Sequence, residues 1–264
     1  MFLSSRHERV LVDGSAGKIE VFVEPLERAV GITLIAHPHP LFGGTADNKV
    51  VTTLAKAFRE LGCATLRPNF RGVGGSVGVH DKGIGETDDL LAVHAYGRQR
   101  FGRALSFYLA GFSFGAYMIT RLAARLAEAG DPAARLVLVG TAAGYIGPPR
   151  SQTPLAAPHG EAEAALGLPG GGFIAGDWVY NTAAVPPNTI VIHGSEDETV
   201  PLANVLKWAE PLELPVTVVP GADHFFHRRL HIIRRVIQSA LAGPPQEGPP
   251  PGGGQRTNVS VGGQ

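Results

Sequence analysis

Short apolar runs alternate along this chain with longer stretches of helical spacing, and that alternation narrows the fold more than any other feature. Residues 32–36, 64–67, 105–110, 135–139, 189–192 and 216–219 read as strands. Their apolar character is continuous, as it is when a strand is covered on both faces. Helical spacing is clearest over residues 48–61, where Val51, Leu54, Ala55, Phe58 and Leu61 recur on one side and Gly62 stops the pattern. It returns over residues 84–96, 115–129, 202–208 and 227–241. Strand–helix alternation of this kind builds a mostly parallel sheet with helices on both faces. Two earlier runs, 9–12 and 19–23, flank Asp13-Gly14-Ser15-Ala16-Gly17 and read as a hairpin that adds an antiparallel edge. The expected fold class is α/β.

Two segments break the rhythm. Residues 144–188 form a long connection rich in Gly, Pro and Ala, with aromatic side chains at Tyr145, Phe173, Trp178 and Tyr180. A connection of that length is a lid or binding loop, or else a variable insertion. Residues 243–264 are dominated by Pro and Gly and cannot supply a core, so disorder is expected there. The chain thus divides into one domain over residues 1–242 and a tail over 243–264.

The bulk numbers exclude several function classes. A chain of 264 residues, 44% of them hydrophobic, is large enough for one sizeable core. Lys plus Arg and Asp plus Glu both total 23, so the net charge is zero and no nucleic-acid partner is expected. The single cysteine, Cys63, excludes an intramolecular disulfide and a Cys-rich zinc site, and reads as a buried apolar residue. No apolar stretch reaches bilayer length, and the first residues lack the apolar core of a signal peptide. A cytoplasmic protein without a membrane partner is the expectation.

The pattern G-x-S-x-G occurs at residues 74–78, around Ser76, and at residues 111–115, around Ser113. With 35 glycines in the chain a chance match is unsurprising, so the flanks must choose. The motif serves a sharp strand-to-helix turn that exposes the serine hydroxyl. Ser113 follows an apolar strand and precedes a helical pattern. Ser76 follows a polar, Gly-rich stretch and is expected to be a loop residue. Ser113 is therefore the candidate nucleophile.

A serine hydroxyl needs a base, and the base needs an orienting acid. The acid candidates follow the strand at 189–192: Glu196, Asp197 and Glu198. Asp197 is preferred, because a short side chain is readily fixed in a tight turn and Thr199-Val200-Pro201 opens the next helix. The two glutamates read as solvated charges. His224 follows the strand at 216–219 and is the candidate base. Asp223 reads as structural, His227 and His231 as surface residues, and His193 as a turn histidine or one that supports the site.

The sequence resembles the α/β-hydrolase superfamily, and within it a group of small cytosolic hydrolases and esterases. The resemblance rests on His37-Pro38-His39-Pro40-Leu41-Phe42-Gly43-Gly44, on the Gly-rich loop from Asn69 to Ser76, on Gly111-Phe112-Ser113-Phe114-Gly115, on residues 193–201 and on residues 221–226. It implies Ser113, Asp197 and His224 as a catalytic triad that acts on a small-molecule ester without a cofactor. An oxyanion hole needs two backbone N–H donors, one from the residue after the nucleophile, here Phe114, and one from the loop after the third strand. Pro38 and Pro40 carry no N–H, which leaves His39 first and Leu41 second.

Rival readings share some of these residues. His37 and His39 at a strand end, joined by His193 or His224, would suit a metallohydrolase, but nothing follows His39 at ligand spacing. Gly72-Val73-Gly74 lacks the Lys and Ser/Thr of a phosphate loop. Arg71 faces an acidic substrate or pairs with Glu86 or Asp88. A peptidase, an amidase or an acyltransferase would use the same three residues, and a binding module could retain the fold without chemistry.

Overall fold

A computed structural model describes residues 7–146 and 178–242. Strands β1 (Glu8–Gly14) and β2 (Gly17–Glu24) form the expected hairpin, paired from Glu8 with Val23 to Gly14 with Gly17. There follow β3 (Gly31–Ala36), α1 (Lys49–Glu60), β4 (Cys63–Pro68), α2 (Ile84–Phe101), β5 (Ser106–Phe112), α3 (Phe114–Glu128) and β6 (Arg135–Val139). Then come β7 (Gly144–Ile146), β8 (Trp178–Tyr180), β9 (Ile190–Gly194), α4 (Leu202–Ala209), β10 (Val216–Val219) and α5 (Leu230–Leu241).

Eight strands make one sheet in the order β1-β2-β4-β3-β5-β6-β9-β10. The hairpin joins through the antiparallel β2–β4 pair, and every pairing from β4 to β10 is parallel. The expected mostly parallel sheet with an antiparallel edge is the observed one.

The continuous apolar strands have a direct cause. Successive side chains point to opposite faces of the sheet, and both faces are covered. Leu34, Leu66, Leu109 and Leu136 pack with Leu90 and Val93 of α2 and Ile119 and Leu122 of α3. Their neighbours in sequence, Ile35, Ala110 and Val137, pack on the other face with Leu54 and Phe58 of α1 and Ile233 and Ile237 of α5. All six residues of β3 are buried. Truncating such a leucine to alanine costs about 2–5 kcal/mol in lost burial and cavity formation. Cys63 is buried, as expected.

Two readings need adjustment. The last helix starts at Leu230 and not at residue 227, because Phe226 and Arg228 adopt left-handed backbone, with φ of 52° and 61°. The long connection contains the β7–β8 pair, with Gly144 opposite Tyr180. The remainder of that connection, residues 147–177 with Phe173, and the tail 243–264 lie outside the described residues.

Candidate active site

Ser113 occupies the single residue between β5 and α3. Its backbone is left-handed, φ 57° and ψ −121°, a conformation that costs a non-glycine residue about 1–3 kcal/mol. The neighbours hold it there. Ser113 N–H donates to Val139 O at 2.9 Å, and Ser113 O accepts from Tyr117 N–H at 3.2 Å and Ala142 N–H at 3.3 Å. The turn also needs its flanking glycines. A Cβ on Gly111 would lie 2.5 Å from the carbonyl of Gly115, and one on Gly115 would lie 2.2 Å from Ala36 O. Strand, turn and helix approach at backbone contact, and α3 is pressed against the end of β3.

Asp197 follows β9 and His224 follows β10, so all three side chains lie beyond the C-terminal ends of parallel strands. The two loops are tied together. Ser195 N–H donates to Val219 O at 3.1 Å, Glu196 N–H to Ala222 O at 3.0 Å, and Gly221 N–H to Ser195 Oγ at 2.7 Å. Gly194 allows this contact, since a Cβ there would lie 2.3 Å from Ala222 O.

The three side chains form one hydrogen-bonded line. His224 Nε2 lies 2.9 Å from Ser113 Oγ, and His224 Nδ1 lies 2.7 Å from Asp197 Oδ2. A carboxylate only accepts, so Nδ1 carries the proton and Nε2 is left to accept from the serine hydroxyl. Asp197 Oδ1 accepts from Thr199 N–H at 3.0 Å and Val200 N–H at 2.7 Å, which fixes the carboxylate plane. The imidazole is flanked by Phe112 and Phe225, with ring centroids 4.9 and 5.2 Å away. Ser113, Asp197 and His224 are all under 10% exposed, where a polar line of this kind is little screened by water. Chemically, the arrangement can draw a proton from the hydroxyl to Nε2 while the carboxylate stabilises the resulting imidazolium.

Solved structures share this frame. An α/β serine hydrolase from Xanthomonas campestris, described as lacking a lid, is 32% identical to this chain, with 92% of this chain and 96% of that one covered and a TM-score of 0.69. The chain belongs to the α/β-hydrolase superfamily. An α/β serine hydrolase homologue from Coxiella burnetii is 34% identical, with coverage of 91% and 100% and a TM-score of 0.65. A curated, uncharacterised protein from Rickettsia prowazekii (strain Madrid E) is 39% identical over 121 residues, 46% of this chain and about half (51%) of that protein's length. No family model matches the chain.

Around the α/β-hydrolase elbow, the loop after β3 carries the two histidines. Phe70 N–H donates to His37 Nε2 at 2.9 Å, so His37 Nδ1 bears the proton and donates to Pro38 O at 2.6 Å. Burial pushes His37 down to about 4, against the opposing pull of the Pro38 carbonyl. Both of its nitrogens are held by backbone, which leaves neither to ligate a metal. Among the described residues no group of three or more His, Cys, Asp or Glu could hold a metal ion. His39 Nδ1 accepts the N–H of Leu41 at 3.2 Å, and its ring lies 4.7 Å from that of Phe114. Burial, reinforced by His80, lowers His39 to about 3. The loop after β3 and the start of α3 are therefore neighbours, as an oxyanion hole formed by both would require.

The remaining candidates separate cleanly. Ser76 Oγ accepts from Glu20 N–H at 2.9 Å and donates to Asn69 O at 2.7 Å, so it is a loop residue. Glu196, Glu198 and His231 are exposed, and Asp223 pairs with His227 at 2.5 Å. Arg71 is a correction: it bonds neither Glu86 nor Asp88 but Asp89, at 2.8 Å, and Gly85 O at 2.7 Å. Asp88 points to solvent, and Glu86 turns back to accept from Asp81 and Gly83 N–H. With 7% exposure, Arg71 is a structural residue.

Three further residues lie beside the site, and of these only His80 carried no sequence signal. His193 is fully buried, donates Nε2–H to Val200 O at 2.9 Å and lies 3.4 Å from Asp197 Oδ2. It supports the acid loop, in line with its reading as a supporting histidine. His80 lies 4.8 Å from the His39 ring and 2.8 Å from Glu86, and no local pattern marks it. Tyr180 on β8 meets Tyr117 at 5.1 Å and Phe114 at 6.4 Å, and burial raises its hydroxyl well above the usual value. No described helix is long and apolar enough to cross a membrane.

Proposed function

We propose that the chain is a serine hydrolase that cleaves carboxylic esters through an acyl-enzyme. The observation that carries this reading is the unbroken line from Ser113 Oγ through His224 to Asp197. Ser113 Oγ attacks the ester carbonyl as its proton passes to His224 Nε2, and the carbonyl oxygen becomes an oxyanion. Collapse breaks the C–O bond to the alcohol, which leaves with the proton from His224. Water then attacks the acyl-serine carbonyl, His224 takes its proton, and the acid departs as Ser113 recovers its hydroxyl. Asp197 holds the imidazole in the required tautomer throughout.

The oxyanion is assigned to the N–H groups of Phe114 and His39. Leu41, the other donor available at that turn, already gives its N–H to His39 Nδ1. Pro38 and Pro40 restrict the turn on either side of His39. The loss of one such donor typically costs about 3–4 kcal/mol in the transition state.

The test is a series of p-nitrophenyl esters of increasing acyl length, run beside matched anilides, on the protein and on Ser113→Ala. The expected result is ester turnover that depends on Ser113 and far exceeds anilide turnover. Turnover that survives in Ser113→Ala, or a preference for anilides, would overturn the reading.

A further inference from the structure

A groove of about 570 Å3 opens between residues 43–50, which follow the His39 turn, and residues 225–230, which follow His224. That size is within the range of small-molecule sites. Phe225 and Leu230 supply its apolar surface, over the buried Val50. Phe225 is 46% exposed and packs edge-on against the His224 ring, so groove and base share a wall.

The charges of this wall do not balance. Asp47 is bonded by Arg67 at 3.3 Å, and Asp223, outside the lining, is held by His227. Lys49 and Arg228 both line the groove and are exposed, and among the described residues neither reaches a carboxylate at ion-pair distance. The protein as a whole has no net charge, so the excess of cations over carboxylates in this lining is a local feature. The backbone that carries one of them is strained. Phe226 and Arg228 both have positive φ, and the fully buried Phe226 ring anchors the turn while Arg228 stays at the surface. Asp223 Oδ1 accepts His227 N–H at 2.9 Å and locks this geometry.

In the proposed reaction His224 returns its proton to the leaving alcohol. The leaving oxygen must therefore face His224, and the alcohol extends along the loop that follows it. We propose that this groove is the subsite for the alcohol portion of the ester, and that it selects alcohols bearing an anionic group, with Lys49 and Arg228 as countercharge and Phe225 against the apolar body. This rests on the esterase reading above.

The test uses three acetate esters with near-isosteric leaving groups: 4-acetoxybenzoate, 4-acetoxybenzenesulfonate and the neutral 4-acetoxybenzamide. Each kcat/KM is divided by the rate of hydroxide-catalysed hydrolysis of the same ester. The anions are expected to be favoured about fivefold over the amide at low salt, a preference that falls as salt screens it. The carboxylate and sulfonate arms separate a planar from a tetrahedral anion. In Lys49→Glu/Arg228→Glu the anion-to-amide ratio is expected to fall about tenfold or more. The ratio is internal to each variant, so partial misfolding does not mimic the result. A ratio that charge reversal leaves unchanged would overturn the proposal. If no ester shows Ser113-dependent turnover, the esterase reading fails. Calorimetric binding of 4-acetoxybenzoate and 4-acetoxybenzamide to Ser113→Ala, with and without the reversed charges, then reads the groove alone. Tighter, charge-dependent binding of the anion supports the groove, and equal binding contradicts it.

Discussion

The chain contains the same five-residue pattern twice, and the two copies have opposite fates. Around Ser113 the pattern joins β5 to α3, forces a non-glycine residue to φ 57° and directs the hydroxyl at an imidazole. Around Ser76 it lies in a loop between β4 and α2, and the hydroxyl is consumed by Glu20 N–H and Asn69 O. Burial does not separate them, since Ser113 is 8% exposed and Ser76 7%. What separates them is the partner: an imidazole in one case, backbone in the other. The difference follows from the strand before, the helix after and the imidazole across the gap.

The largest effect that would break this contrast is at Ser113 itself. Ser113→Ala is expected to lower kcat by roughly 10⁴–10⁶, read in a p-nitrophenyl ester assay, while Ser76→Ala keeps kcat within about twofold. Asp197→Asn should come next. The amide offers its N–H₂ or its oxygen to His224 Nδ1, the tautomer is no longer dictated, and kcat is expected to fall roughly 10³–10⁴-fold with phosphonylation of Ser113 by fluorophosphonates slowed in parallel.

The histidines sharpen the same contrast. His224 serves a hydroxyl, whereas His37 is clamped between two backbone groups. His37 titrates at about 4 in the folded protein and at about 6.5 when unfolded. As pH falls, the unfolded chain binds this proton first, so the contribution of neutral His37 is full above about pH 6.5 and is lost as pH falls toward 4. Roughly 3 kcal/mol is at stake, and the urea midpoint should drop across that window less steeply in His37→Asn. Gly115→Ala should destabilise by about 1–3 kcal/mol, because its Cβ would meet Ala36 O. Gly115→Ala should also lower activity by tilting the elbow. The smallest effect is the cost of Ser76→Ala in stability. Glu20 N–H loses its acceptor, and a loss of about 1–2 kcal/mol by urea denaturation is expected.

Much of this was legible in the amino-acid sequence, for reasons that can be named. The parallel strands announce themselves because both faces of the sheet are covered, so Leu34 and Ile35 are apolar for different partners. Ser113, Asp197 and His224 could be placed because each follows a strand within a few residues, and a parallel sheet brings such ends together. The partner of Arg71 is not legible, because local spacing cannot set helix phase at a capped start. Glu86 is drawn back to the N–H groups of Asp81 and Gly83, and the helix then presents Asp89 to Arg71. The β7–β8 pair escaped because three-residue strands far apart in sequence carry no local signal. His80 reaches His39 only through the path of the Gly-rich loop, which no periodicity encodes. The left-handed turns at Phe226 and Arg228 delay α5, although nothing in those residue types announces positive φ.

The central claim is that Ser113, and not its twin at Ser76, is the activated hydroxyl. Fluorophosphonate labelling of the folded protein, followed by peptide mapping, tests it most directly. A single adduct is predicted on the peptide that contains Ser113, unaffected by Ser76→Ala and absent from Ser113→Ala. An adduct on Ser76, or folded protein that takes no label, would contradict it.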